Sequence, residues 1–383
     1  MEKRRDFFDT PLLLFTLTIM IFCCAALYSA QKYVHLDENY FKKQIMWFAI
    51  SLVIMFFIFF FDLESIMRLT PYIYLSGILL LIFVLVAPEK IAPTIKGAKS
   101  WIVVPGFASL QPSEFMKIFL IMMLAFTVTK HYEKYTIGLI QSDFFLLFKV
   151  GIIALIPICL TYMQNDFGTS LVMFVITMGI VLVSGINWRI IFTFVLIGTV
   201  TLVSLVLIYM RDPDLLLKFL DQYQLNRIHA WLDPFGTGEG IGYQLKQSIL
   251  AVGSGMTSGK GFGQSNVYIP EAHTDFIFSI FAEEFGFIGA SALIGLYFLI
   301  IYRIVAIALY SRYFEAFICT GVAALLAFHI FQNIGMVIGL IPITGIPLPL
   351  MSYGGSSVMA TMMGISLILN ISLKKKEYMF SEE

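Results

Sequence analysis

Charge is scarce in this sequence. Only 13% of its 383 residues are Asp, Glu, Lys or Arg, while 59% are hydrophobic, and a soluble domain carries about a quarter charged residues. That shortage excludes an ordinary water-facing surface. The 25 basic and 25 acidic residues cancel, so no basic excess supports a nucleic-acid partner. Cysteine is nearly missing: Cys23, Cys24, Cys159 and Cys319 all fall in apolar runs. Their placement argues against a disulfide framework or a cysteine metal cluster and reads as small buried hydrophobes. No small-residue cleavage site closes the first apolar run, which follows Lys3, Arg4 and Arg5, so it reads as a retained span and not a signal peptide. Internal repeats are lacking too, which gives no support to an inverted-repeat transporter.

What the chain has instead is long apolar runs. About 20 apolar residues span a bilayer, and ten such segments occur near 11–30, 44–61, 70–87, 114–129, 144–162, 168–185, 188–210, 276–302, 313–338 and 352–373. The expected fold is an all-α polytopic membrane protein, one integral membrane unit over 1–383. It has a long extracytoplasmic loop at about 211–275, between helices 7 and 8, an N-terminal segment 1–10 and a tail at about 374–383. An even number of spans puts both termini on one side. With them inside, twelve Lys and Arg lie in inner segments, including Lys374, Lys375 and Lys376, and six lie in short outer loops. The positive-inside rule therefore predicts both termini in the cytoplasm. The three-lysine run is also placed to attract anionic membrane lipids.

Four segments are then outside: 88–113, 163–167, 211–275 and 339–351. In the first, Pro112, Ser113 and Glu114 read as a helix start. Lys117 follows three residues later, on the same face as Glu114. An unpaired ammonium within a span is costly, so the two are expected to pair at a cavity wall. Asp166 reads either as an N-cap of the sixth span or as a cavity-lining carboxylate. In the long loop Arg227 is the candidate anion contact, because a guanidinium grips phosphate oxygens in pairs. The glycine series Gly253, Gly255, Gly259, Gly261 and Gly263 carries neither a Walker lysine nor a dinucleotide fingerprint. It reads as a re-entrant loop before a phosphate cradle. In the last segment Pro347 and Pro349 forbid a helix, Ser352 and a glycine pair follow, and Asn333 precedes it within a span. Irregular backbone at that depth is tolerated only where it lines a cavity or is buried in protein.

The most informative residue is Asp275, in His273-Thr274-Asp275-Phe276, where polar loop meets apolar helix. A carboxylate at the lip of a membrane persists mainly where a function or a partner requires it. A plain helix cap is the competing reading. Glu283 lies eight residues on, roughly 12 Å deeper, and is expected to line the cavity as a second carboxylate. His273 reads as a loop contact or a proton shuttle.

Together, Gln111-Pro112-Ser113-Glu114, Arg227 through Pro234, Pro270 through Gly286 and Asn333 through Ser357 resemble the SEDS family of bacterial cell-wall proteins, which includes RodA, FtsW and SpoVE. Asn333-Ile334-Gly335-Met336 with Thr344-Gly345-Ile346-Pro347-Leu348-Pro349 leans toward RodA, and Gly261-Phe262-Gly263-Gln264-Ser265 toward FtsW. Two positions depart from the family pattern. Ser100, with Lys99 beside it, stands where an arginine often precedes the tryptophan, which would shift that contact to Lys99. Asn165 stands where a proline usually precedes the aspartate.

The resemblance implies a peptidoglycan glycosyltransferase of the bacterial inner membrane that polymerises lipid II on the outer leaflet, for elongation or division. A class B penicillin-binding protein is the implied partner, and Asp275 matches the family's essential aspartate. On this reading Asp275 takes the proton of an attacking sugar hydroxyl. Arg227 and Lys117 face the leaving pyrophosphate, Glu114 holds Lys117, and Asp166 shapes the cavity floor. A divalent cation, Mg or Mn, is left open, since no metal-ligand spacing identifies one. Two other classes fit less well: a lipid II flippase with Asp275 in a proton relay, and a non-catalytic scaffold for the penicillin-binding protein.

Overall fold

The computed structural model describes residues 9–33, 39–95, 97–104, 108–136, 138–211, 222–236 and 240–379. Several expectations lie outside the described residues: the N-terminal cluster Lys3, Arg4 and Arg5, the Pro105-Gly106 step, the loop pieces 212–221 and 237–239, and the last four residues of the tail.

The chain runs α1 (Thr10–Tyr33), α2 (Tyr40–Ile58), α3 (Leu63–Val86), β1 (Ile102–Val104), β2 (Ala108–Leu110), α4 (Pro112–Tyr132), α5 (Ile140–Met163), α6 (Phe167–Val183), α7 (Trp188–Arg211), α8 (Gln222–Leu232), α9 (Ile241–Ser254), α10 (Ile277–Ala308), α11 (Tyr313–Val337) and α12 (Gly355–Met379). Every expected span is a helix. Among the described residues nine are long and apolar enough to cross a membrane, and α6 is a shorter apolar helix. The sequence expectation of a short fourth span is corrected, because α4 runs for 21 residues from Pro112 at its first turn. The antiparallel β1–β2 hairpin, pairing Val103 with Ser109, was not anticipated. The long loop also carries two helices of its own, α8 and α9.

The core is built around α4, α11 and α12. α4 packs against α3, α5, α6, α11 and α12, while α11 also meets α6 and α10. Their shared interior holds Met116, Leu120, Ile121, Leu124, Ile318, Val322, Ile365 and Ile368, each at most 1% exposed. α7 lies at the rim, with only Ile190 and Ile191 buried. Cys23 and Cys319 are buried, but Cys159 is exposed on α5, unlike the uniformly buried set expected.

One helix is broken. Inside α10, Gly286 adopts φ 64°, ψ −164°, a region open essentially to glycine alone. The break lies roughly 14 Å along the helix from Ile277 at 1.5 Å per residue. An unbroken helix would bond Phe287 N–H to Glu283 C=O and Ile288 N–H to Glu284 C=O. Here the glycine-rich loop takes all four groups. Lys260 and Gly261 N–H donate to the carbonyls of Glu283 and Glu284, both at 3.0 Å, while Phe287 and Ile288 N–H donate to Met256 and Thr257 carbonyls at 2.9 and 3.1 Å.

Loop and helix meet backbone to backbone. A Cβ on Gly259 would fall 2.0 Å from Glu284 O, and one on Gly286 would fall 2.2 Å from Gly259 N. The glycine series is divided: Gly253 and Gly255 end α9, and Gly259 and Gly261 belong to the loop docked against α10.

Alanine at either glycine forces the stitch apart. Gly259→Ala and Gly286→Ala should each destabilise by about 3 kcal/mol or more, within the range for backbone strain plus lost buried hydrogen bonds. Gly253→Ala, inside α9 and with nothing within 4 Å of an added Cβ, should leave stability unchanged or raise it by up to about 1 kcal/mol. Thermal melts of the detergent-solubilised protein would separate the two classes.

Candidate active site at the loop-bearing end of the bundle

The segments containing residues 97–104, 108–111, 164–166, 240–276 and 339–354 gather at one end of the bundle. Lys99 N–H donates to Gln164 O at 3.0 Å, and Tyr353 N–H donates to His273 O at 2.9 Å. Gln111 Nε2 donates to Asp166 Oδ2 at 2.8 Å.

At the centre is the strip His273-Thr274-Asp275, gripped by three successive carbonyls. Tyr353 N–H holds His273 O, Ser352 Oγ donates to Thr274 O at 2.7 Å, and Asn333 Nδ2 donates to Asp275 O at 2.8 Å. The backbone of Asp275 is therefore fixed from α11 and from the turn before α12, while its side chain stays half-buried. Asp275 does not hold the N-cap position itself: α10 begins at Ile277 and its N-cap is Phe276, one residue further on. Gly345, at φ +74°, lies against the carboxylate, where an added Cβ would stand 3.5 Å from Asp275 Oδ2. Glycine gives the acid room on that side.

Glu114 and Lys117 pair as expected, Nζ to Oε1 at 2.9 Å, one turn apart at the start of α4. Their side chains are only 6% and 3% exposed, so the pair is enclosed rather than spread over a cavity wall. Lys117 Nζ also lies 3.3 Å from His329 Nε2, and His329 Nδ1 lies 3.2 Å from Pro347 O. A buried ammonium is tolerable only with such partners.

Asp166 fills the cap role and also ties two helices together. Its Oδ1 accepts from Thr169 N–H at 3.1 Å, capping α6. Its Oδ2 accepts from Gln111 Nε2, from Thr169 Oγ1 at 2.8 Å and from Ser113 Oγ at 3.3 Å, tying α6 to the start of α4.

Other expected cavity residues are engaged elsewhere. Lys99 Nζ donates to Leu85 O at 3.0 Å and Ala87 O at 2.7 Å. It closes the C-terminus of α3, where a cation suits the helix dipole. Glu283 is fully buried beneath the glycine loop. Lys260 Nζ reaches its Oε1 at 2.5 Å, Asn266 N–H donates at 3.0 Å, and Ser265 Oγ donates to Oε2. It staples that loop. His273 packs its ring against Tyr40, centroids 4.4 Å apart and tilted by 31°, in keeping with a packing contact. Arg227 is half-buried on α8, whose Trp231 Nε1 donates to Gly339 O at 3.0 Å. Ser352 and Asn333 act on the Asp275 strip itself.

Sequence reasoning missed His329 and Gln332. With Asn333 they lie at i, i+3 and i+4, on one face of α11. Gln332 Nε2 donates to Thr344 Oγ1 at 3.0 Å, and Asn333 Nδ2 also donates to Ile346 O at 2.8 Å. Their spacing before a proline-rich loop was the available signal. Among the described residues no three His, Cys, Asp or Glu side chains are grouped to hold a metal.

Removing one member of a buried ion pair strands the other, at about 3–5 kcal/mol. Glu114→Gln and Lys117→Met should each lower the melting temperature sharply. The double variant should lose at least about 1 kcal/mol less than the sum of the two single losses, as read from melts of all four proteins.

Comparison with known proteins agrees with the geometry. The family model for the cell cycle proteins FtsW, RodA and SpoVE matches residues 5–377. A probable peptidoglycan glycosyltransferase FtsW of Neisseria gonorrhoeae is 33% identical over 414 residues, covering 97% of this chain and 86% of the relative. A solved chain from a peptidoglycan synthase complex superposes with a TM-score of 0.78 at 28% identity, covering 97% and 98% of the two chains. The rod shape determining protein RodA of Thermus thermophilus gives 0.69 at 27% identity, covering 97% and 99%. With a model match over nearly its whole length and a relative above 30% identity, this chain belongs to the FtsW/RodA/SpoVE family.

Proposed function

We propose that the protein is a peptidoglycan glycosyltransferase that polymerises lipid II into glycan strands, with Asp275 as the general base. Family membership supports the activity, and the relative from Neisseria gonorrhoeae carries that activity in its name. One observation supports the residue: three successive carbonyls through Asp275 are immobilised while its carboxylate remains half-buried beside a glycine.

The reaction joins a sugar hydroxyl of one substrate to the anomeric carbon of another. As the new C–O bond forms, the hydroxyl proton passes to Asp275 and the lipid pyrophosphate leaves with the electrons of the broken bond. A positioned carboxylate contributes roughly 10²–10⁴-fold to such a step. Fixing its backbone keeps it within reach of the nucleophile without reorganisation at the moment of reaction. Arg227 is the cation proposed for the leaving pyrophosphate, because a guanidinium matches phosphate oxygens. Lys117, enclosed between Glu114 and His329, is better suited to holding the site's shape. A divalent cation could add charge at the pyrophosphate, but no cluster among the described residues fits one, and no step is routed through it.

The loop-bearing end is proposed to face outward from the inner membrane, with both termini in the cytoplasm, on the strength of the positive-inside count. A class B penicillin-binding protein is the proposed partner, in keeping with the match to a peptidoglycan synthase complex. The Asn333 to Pro349 run favours the elongation branch.

Purified protein, with its penicillin-binding partner and labelled lipid II, should yield glycan strands on a gel. Asp275→Asn should lose at least about 10²-fold in rate with its melting temperature kept. A folded variant that still polymerises would remove Asp275 from the role of base. Failure of the wild type with its partner would overturn the polymerase reading and send the test to lipid scrambling in vesicles.

A further inference from the structure

α11 turns three polar side chains onto the proline-rich loop. Gln332 meets Thr344 Oγ1, Asn333 meets Ile346 O, and His329 meets Pro347 O. Of the three, only His329 has a second neighbour that carries charge: Lys117 Nζ, 3.3 Å from its Nε2. Lys117 in turn holds Glu114 at 2.9 Å. His329 is 3% exposed, Lys117 2% and Glu114 5%.

The partners dictate where the imidazole proton sits. An ammonium only donates, so Nε2 facing Lys117 must accept. A carbonyl only accepts, so Nδ1 facing Pro347 must carry the hydrogen. Only the neutral Nδ1–H tautomer satisfies both neighbours. An imidazolium would set an N–H against the ammonium, and the Nε2–H tautomer would fail at both ends. Among the described residues, the charged groups that face this imidazole belong to α4: Lys117 directly and Glu114 behind it. On the loop side it meets the Pro347 carbonyl.

The loop so held is the one beside the acid. Pro347 follows Ile346, whose carbonyl shares Asn333 Nδ2 with the carbonyl of Asp275. Gly345 lies against the Asp275 carboxylate. We infer that His329 is a positioning residue, which locks the Gly345–Pro347 strip to the Lys117–Glu114 pair and so fixes the wall against which Asp275 works. This rests on the polymerase reading for its kinetic consequence, while the tautomer stands independently of it.

Two variants separate hydrogen bonding from packing. His329→Phe keeps the ring volume but neither polar atom. His329→Asn loses volume but keeps an N–H donor near the Nδ1 position. A positioning histidine predicts a kcat for lipid II polymerisation reduced at least tenfold in His329→Phe with KM within twofold of wild type, and a rate partly recovered in His329→Asn. A packing histidine predicts the reverse order.

The second readout needs no turnover. In ¹⁵N-histidine-labelled protein, the resonance that disappears in His329→Phe should report the Nδ1–H neutral tautomer, the less populated form of a free histidine side chain, and should shift in Lys117→Met. A wild-type-like rate for His329→Phe, or an Nε2–H or imidazolium signature at His329, would overturn the inference. If wild type made no glycan while the tautomer appeared as stated, the polymerase reading would fall and the locked imidazole would stand.

Discussion

The structure depends on a helix that stops being a helix for one residue. At membrane depth every backbone donor and acceptor must find a protein partner, because hydrocarbon offers none. Gly286 breaks two bonds of α10 and exposes two carbonyls and two N–H groups, and the loop at 256–261 returns a partner to each of the four. Neither element is satisfied alone: the break needs the loop, and the loop, dense in glycine, has little side chain with which to anchor itself. Glu283 adds a carboxylate that reaches Lys260, Ser265 and Asn266 from beneath. The stitch closes the chain between 261 and 283 into a short tethered loop, and Asp275 sits within it. Restricting that loop's ends lowers the entropy lost when its tip is ordered.

The opposite wall meets a different difficulty. Pro347 and Pro349 have no N–H to donate, and prolines prevent the segment from hiding its carbonyls in a helix. Side chains supply the donors instead. Asn333 takes Ile346 O, His329 takes Pro347 O, and Tyr297 Oη takes Pro349 O at 2.6 Å. Ser352 works in two directions, accepting from Leu348 N–H at 2.8 Å and donating to Thr274 O. One hydroxyl therefore ties the proline loop to the Asp275 strip. Two irregular segments, each unable to satisfy itself, hold each other in register, and the acid lies at their junction.

How much of this was legible in the sequence follows from range. Local signals were readable. Apolar runs located the spans, Pro112 with Glu114 marked the start of α4, and i,i+3 spacing paired Glu114 with Lys117. Asp166 announced a cap because the cap is built within four residues. Partners set by folding were not readable. Lys99 looked like a cation for a ligand until α3 was seen to end beneath it. Glu283 looked like a second acid for the cavity until the loop was seen to cover it. His329 drew no notice, since the two neighbours that define its role are 212 and 18 residues away in the chain. The β1–β2 hairpin was hidden for another reason: three-residue strands are too short for alternation to show.

The distribution of polarity along the bundle bears on what the site can do. In α4 the charged pair occupies the first two turns, and below it Ile118, Leu120, Ile121, Leu124, Ala125 and Val128 are buried. In α11 His329, Gln332 and Asn333 occupy the last two turns, and Ile318, Val322, Leu325 and Leu326 lie on the far side. A buried hydroxyl beneath this level returns to its own helix, as Thr127 Oγ1 does to Met123 O at 2.8 Å. At the other end Arg303 clamps Asp9, with Nε 3.1 Å from Oδ1, and Asn370 Nδ2 donates to Ile58 O at the end of α2 and to Phe61 O in the turn after it. Carrying a pyrophosphate across the bilayer would require polar groups continued through this middle layer. Among the described residues, the α4–α11 part of that layer is instead packed with apolar side chains. A polar site floored by hydrocarbon keeps its substrate's charged head at one face, where a bond can be made and the lipid carrier released into the leaflet from which it came.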